Sequence, residues 1–421
     1  MKEKFRFLLN RLKEKLWLKP LIICVFSIVA ALLARTADSV LSEKEMMDLL
    51  PQITKESIED LLKITAASML VIATFAVASM VSAYASAGST ATPRALSVVI
   101  ADDVSQNALS TFVGVFIFSI VALVALKNGY YEKAGRLVLF TLTLTALAIV
   151  IVTFLRWVDR IARLGRMGTV IDKVEAATFD SLMRRATCPG MQGVVVDKDE
   201  PNGIPVYAKE IGYLQHIDIE RLQSLAKQQN IHIAISGLPG IFVSPERALA
   251  FVYHDQNNAK KTLELAPILK TFTIGQDRLF DNDPRFGVIV LSEIASRALS
   301  PAVNDPGTAI DVIGTLVRLF LQYSDARLTK NKPPRFNRVF VPELRIHDMF
   351  DDAFIPMSRD GAGFFEVQLR LQKALCSLAS SGDDAMKNAA LHHARRAFAQ
   401  AEKAIDIQDE INLIKSAGLL K

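Results

Sequence analysis

Two groups of residues in this 421-residue chain have types and spacings that could do chemistry. The first lies in Phe272-Thr273-Ile274-Gly275-Gln276-Asp277-Arg278, Asp283-Pro284-Arg285-Phe286-Gly287 and the run from Arg297 through Ser300-Pro301-Ala302-Val303-Asn304-Asp305-Pro306. Free amides at the start of a helix beginning at Pro306 could hold a small anion, with Arg278 or Arg297 supplying charge. The same residues also make a plain helix cap, in which Asn304 or Asp305 accepts from the backbone and Pro306 takes the first position. The second group is a row on one helix: Thr74, Ala78, Ser82, Ser86 and Thr90 recur every four positions. Hydroxyls so spaced could replace part of an ion's hydration shell along a pore. Small residues in that pattern also allow close helix packing.

Other chemistry is absent from the sequence. It has no Walker-type phosphate loop, no Gly-x-Gly-x-x-Gly, no His-Glu-x-x-His, no Gly-x-Ser-x-Gly and no Cys-x-x-Cys. His392 and His393 are neighbours and so do not share a helix face. Asp281, Asp283, Asp351 and Asp352 read as solvated carboxylates. The reading is therefore of a protein that is not an enzyme and takes no metal and no cofactor.

The elements that position these residues begin with four apolar runs. They are Leu16 to Ala34, Ile64 to Pro93, Ala108 to Leu126 and Leu137 to Leu155. A run of 19 residues rises about 28 Å as a helix, close to the hydrocarbon thickness. All four read as transmembrane helices, the first retained rather than cleaved as a signal peptide. Residues 1–20 hold seven Lys/Arg against two Glu, whereas residues 38–63 hold seven acidic residues against three Lys. Arg156, Arg160, Arg163 and Arg166 follow the fourth run. The positive-inside bias then places both termini in the cytoplasm. Trp17 and Trp157 are expected at that interface, with Tyr130 and Tyr131 at the opposite one. The net charge of +5 is explained by this orientation, and no nucleic-acid partner is expected.

The predicted fold class is a membrane α-helical domain plus a cytoplasmic α+β domain, with a small β-barrel or sandwich and a C-terminal helical part. The boundaries read as 1–157 for the membrane domain and 158–190 for a helical linker. A β-rich domain at 191–260 and a mainly helical one at 261–421 follow.

The four-helix layout, Thr92-Pro93-Arg94, Gly212-Tyr213-Leu214-Gln215-His216-Ile217-Asp218, Pro239-Gly240-Ile241-Phe242-Val243 and above all Ala298-Leu299-Ser300-Pro301-Ala302-Val303-Asn304-Asp305-Pro306 carry a resemblance. The chain resembles the bacterial membrane proteins grouped as domain of unknown function 2254, from about residue 16 to 325. The resemblance implies a bacterial inner-membrane location and no mechanism. Two functions remain open. One is a homo-oligomeric ion channel or pore, gated through its cytoplasmic domain. The other is a membrane-anchored sensor or scaffold that binds a small ligand or protein partner. The expected partners are the lipid bilayer, further copies of the chain, and a small anion or ion.

Overall fold

The computed structural model describes residues 17–40, 53–100, 102–196, 203–254, 263–329 and 332–418. The basic residues 2–15, most of the acidic stretch between the first two spans, and Pro201-Asn202 lie outside them. The chain forms two compact units that divide between Val170 and Ile171.

Among the described residues, the membrane unit contains four helices long and apolar enough to cross a bilayer. They are α1 (Leu18–Leu33, followed by the short α2, Thr36–Val40), α3 (Lys55–Thr90), α5 (Asp103–Lys127) and α6 (Lys133–Leu164), with the short α4 (Leu96–Ile100) between α3 and α5. α5 is the central helix and packs on α1, α3 and α6. Its contact face buries Ala108, Phe112, Gly114, Phe118 and Ala122. Phe26, Val71, Phe75 and Leu155 stay exposed, as side chains facing lipid must.

Charges outside the apolar runs fix where the helices begin. Asp102 caps α5 by accepting from the Ser105 amide at 3.1 Å and the Ser105 hydroxyl at 2.8 Å. The same carboxylate receives the Arg160 guanidinium of α6 through Nε at 3.0 Å and Nη2 at 2.7 Å. The next residue, Asp103, pairs with Lys19 of α1. Two successive aspartates thus tie three helices together at one end of the bundle. At the other end of α6, Asp38 accepts the Glu132 amide at 3.0 Å and the Gly135 amide at 2.6 Å. Tyr131 Oη donates to the Ala31 carbonyl at 2.7 Å, and Arg35 lies 4.5 Å over the Tyr130 ring.

One expectation changes here. The third and fourth helices start at Asp103 and Lys133, ahead of their apolar runs, because Asp102 and Asp38 satisfy the first amides. Trp157 is 1% exposed within the bundle and packs edge-on against Phe75 and Phe112 at 6.0 and 6.3 Å. Its neighbours Phe112 and Phe154 draw it into the helix contact.

The globular unit carries most of α7 (Met167–Thr187), followed, among the described residues, by eight strands and further helices. These are β1 (Val194–Val196), β2 (Ile204–Tyr207), β3 (Gly212–Ile217), α8 (Ile219–Gln229), β4 (Ile231–Ile235), β5 (Phe242–Val243), β6 (Ala248–His254), α9 (Leu265–Leu269) and β7 (Phe272–Gly275). Then come α10 (Pro284–Ala298), α11 (Pro306–Thr329), β8 (Val339–Pro342), α12 (Ile346–Asp360), α13 (Phe365–Ser381), α14 (Asp384–Ala404) and α15 (Gln408–Ala417).

The strands form two open sheets, ordered β1-β8-β4-β6-β2 and β5-β3-β7. Of the expected barrel or sandwich, the barrel is corrected: the strands lie in open sheets, with no closed barrel among the described residues. The reason is topological: β3 leaves the large sheet, and β8, from far downstream, fills the place between β1 and β4 by parallel pairing. Period-two burial sets the layers. Ile231, Ile233, Ile235, Ala250, Val252, Val339 and Val341 share a core with α8 and the smaller sheet. His232, Phe251, Tyr253 and Phe340 alternate with them and are only half-buried.

Replacing Asp102 by Ala removes a helix cap and strands Arg160 in a partly buried position. The variant should lose about 2 kcal/mol or more of stability, measured by denaturant unfolding in detergent. An Arg163→Ala control, whose Asp159 partner is exposed, should change it by less than about 1 kcal/mol.

Candidate functional site

The second-span row is on the outside of the protomer. Thr74, Ala78 and Ser82 are exposed and Ser86 is half-buried, while the neighbouring row Met69, Ala73, Ala76, Met80 and Ala87 makes the helix contacts. Packing inside the protomer's own bundle is therefore the work of that second row, not of the predicted one. Thr74 Oγ1 donates to the Leu70 carbonyl and Thr90 Oγ1 to the Ser86 carbonyl, each at 2.8 Å. At its lower end the row opens into a shallow groove of about 540 Å³, closed on the other side by Ile161, Ala162, Gly165 and Arg166.

The four residues read as anion ligands do not meet. Arg278 donates from Nε to Asp283 Oδ2 at 2.7 Å, and its guanidinium lies 5.4 Å from the Phe286 ring centre. Asp283 caps α10 by accepting the Phe286 amide at 3.2 Å. Arg297 is exposed near the opposite end of α10, a helix about 22 Å long. Beyond it Asn304, with φ of 51°, turns the chain, and Asp305 caps α11 by accepting the Thr308 amide at 3.0 Å and the Thr308 hydroxyl at 2.6 Å. Those bonds, the hydroxyl's first, hold the Asp305 carboxyl below its ordinary value. The carboxylate also occupies the place at which an anion would approach these amides.

Around Arg278 the structure assembles something the linear sequence hides. A cavity of about 390 Å³ lies between the Ser236–Ile241 turn and the start of α10, lined by Arg185, Arg278, Arg285 and Arg345. Arg185 is 5% exposed and donates to the Pro189 carbonyl at 3.2 Å. Burial pulls its guanidinium below the ordinary value, opposed by Tyr323 and Asp283. Asp283, Glu343 and Asp348 line the same cavity, so the site is zwitterionic with arginine in excess. Gly240 closes it from above; at φ of 102° a side chain there would be strained and would collide with the Asp283 carboxylate. A larger cavity of about 1260 Å³ covers the half-buried face of the big sheet, lined by Tyr207, His232, Phe251, Tyr253 and Phe340 among others.

Sequence reasoning also missed a histidine cluster. His347 and Asp351 lie on the first turns of α12, and α14 brings His393 against them. The spacing of four between His347 and Asp351 was the available signal; the adjacency of His392 and His393 drew attention away from it.

The sequence profile of the predicted membrane proteins designated DUF2254 matches residues 13–377. The chain belongs to that family. An uncharacterised protein from Mycobacterium bovis is 29% identical over 158 residues, which is 35% of this chain and 29% of the relative. An uncharacterised protein from Mycobacterium tuberculosis H37Rv gives the same figures. The match thus covers less than a third of those relatives' length. No solved structure matches significantly. In this member of the DUF2254 family, the Ser-Pro-Ala-Val-Asn-Asp-Pro run is the connection between α10 and α11.

Arg278→Met should cost about 3 kcal/mol, because it leaves Asp283 buried without its guanidinium. Arg297→Met, on an exposed position, should stay within about 0.5 kcal/mol of the unaltered protein. Denaturant unfolding of the full chain in detergent reads both.

Proposed function

We propose that the protein is a homo-oligomeric ion channel or pore of the bacterial inner membrane, with both termini cytoplasmic and the globular unit gating it. The observation that carries this reading is the exposed row Thr74-Ala78-Ser82-Ser86 on the second span. Lipid tails reward large apolar side chains and gain little from small hydroxylated ones, so such a row on the outside calls for another protomer or for water. Placed around a symmetry axis, its hydroxyls and the unoccupied breadth of the groove beside Gly165 would line a wet path. The basic residues flanking the first and fourth spans support the orientation. In this reading the protein conducts rather than catalyses.

A second reading is favoured by the arginine-lined cavity: a membrane-anchored sensor whose globular unit takes an oxyanion there. Arg185, Arg278, Arg285 and Arg345 would supply the recognition, and the spans would serve as an anchor.

Flux of monovalent ions from vesicles reconstituted with the full chain separates the two. The pore reading expects flux that falls at least tenfold in the Ser82→Leu, Ser86→Leu double variant while the protein stays folded and oligomeric. Absence of flux, together with thermal stabilisation by inorganic phosphate that Arg278→Gln abolishes, would overturn the pore and favour the sensor.

A further inference from the structure

The histidine cluster of the globular unit carries an inference independent of the pore. α12 and α14 pack against each other, and their facing sides bring together His347, Asp348 and Asp351 from one helix and His393 from the other. One ligand atom from each of His347, Asp348 and Asp351 lies within 4.8 Å of the other two. His347 Nδ1 is 3.3 Å from Asp351 Oδ2, and His393 Nε2 is 3.2 Å from Asp351 Oδ1. His393 is 2% exposed, yet its Nε2 makes no hydrogen bond. A buried imidazole nitrogen left without a hydrogen bond beside a carboxylate oxygen costs free energy, which a proton or a bound cation relieves. Around a tetrahedral ion with bonds of about 2.0–2.1 Å, neighbouring ligand atoms stand about 3.3 Å apart. The His347–Asp351 separation matches that edge, while His393 approaches the other oxygen of the same carboxylate.

We propose that His347, Asp348 and Asp351 form a binding site for a divalent first-row transition metal of the zinc class, with His393 held against the second oxygen of Asp351. One imidazole and two carboxylates are donors such an ion takes, leaving its fourth position to solvent, and the carboxylates neutralise its charge. Arg285 serves the site from outside. Its Nη1 holds Asp348 Oδ2 at 3.3 Å while Nε and Nη2 hold Asp352 at 2.6 and 3.0 Å, which orients Asp348 toward the ion. His392, whose ring centre is 5.3 Å from that of His347, flanks the site without being needed in it. The ion would sit on the first turns of α12, where α14 packs His393 against Asp351. Because Asp348 and Arg285 also line the arginine-rich cavity, the metal would set the charge at one wall of it.

The test uses the full chain in detergent, stripped with chelator and titrated with Zn²⁺ by calorimetry, with Co²⁺ as a spectroscopic probe. The expected result is about one Zn²⁺ per chain, and Co²⁺ d–d absorption of tetrahedral intensity. His347→Gln, at a side chain 54% exposed, removes one ligand without opening the core. It should weaken Zn²⁺ binding at least tenfold and lower the Co²⁺ bands at unchanged circular dichroism. Asp351→Asn should do the same, and His232→Gln, in the distant sheet, should leave both readouts intact. Failure of the unaltered protein to bind Zn²⁺ stoichiometrically would overturn the site, as would binding that His347→Gln and Asp351→Asn leave unchanged.

Discussion

Within a bilayer the apolar faces of helices have no preference for one another over lipid, so a bundle takes its register from small-residue contacts and from the few charges at its ends. In this protein the largest share of that task falls to the Asp102 carboxylate. It caps α5, accepts the Arg160 guanidinium of α6 from a nearly dry position, and hands the next residue, Asp103, to Lys19 of α1. The central helix is thereby located against two others at a single level. Asp38 does the same for the opposite end of α6, where Gly135 leaves room for its carboxylate against the backbone. With both ends set, α3 can turn its alanine and methionine row inward and its hydroxylated row out.

The globular unit repeats the device. Asp283 caps α10 and is buried beside Arg278, much as Asp102 caps α5 beside Arg160. In each case one carboxylate satisfies backbone amides and one guanidinium, so removing either partner leaves a charge in a place with little water. The consequence differs between units. Around Asp102 the pair sets the packing of spans, whereas around Asp283 it stands at the wall of a cavity shared with Arg185, Arg285 and Arg345.

Much of this was legible from residue order alone. Four apolar runs, and the cap at Asp305 with Pro306 behind it, are local features, and local chemistry specifies them. Long-range pairing was not legible. Nothing near residue 340 announces that Val339–Pro342 will enter a sheet begun at Val194, and this is why barrel and sandwich could not be told apart in advance. Asp351 and Asp352 looked solvated because their partners, His393 and Arg285, stand 42 and 67 residues away in the chain. The small-residue row on α3 was visible, but its direction was not: burial of the adjacent Ala73-Ala76-Met80 row depends on where α5 and α6 sit.

That direction is what the proposed assembly rests on, and disulfide trapping in native membranes tests it most directly. In a chain whose Cys24, Cys188 and Cys376 have been replaced, a single Ser82→Cys should form a covalent dimer quickly on mild oxidation, whereas Phe26→Cys on the lipid-facing side of α1 should not. Equal, slow trapping at both positions, or none at Ser82→Cys in well-folded protein, would contradict a row that faces its own copies around a common axis.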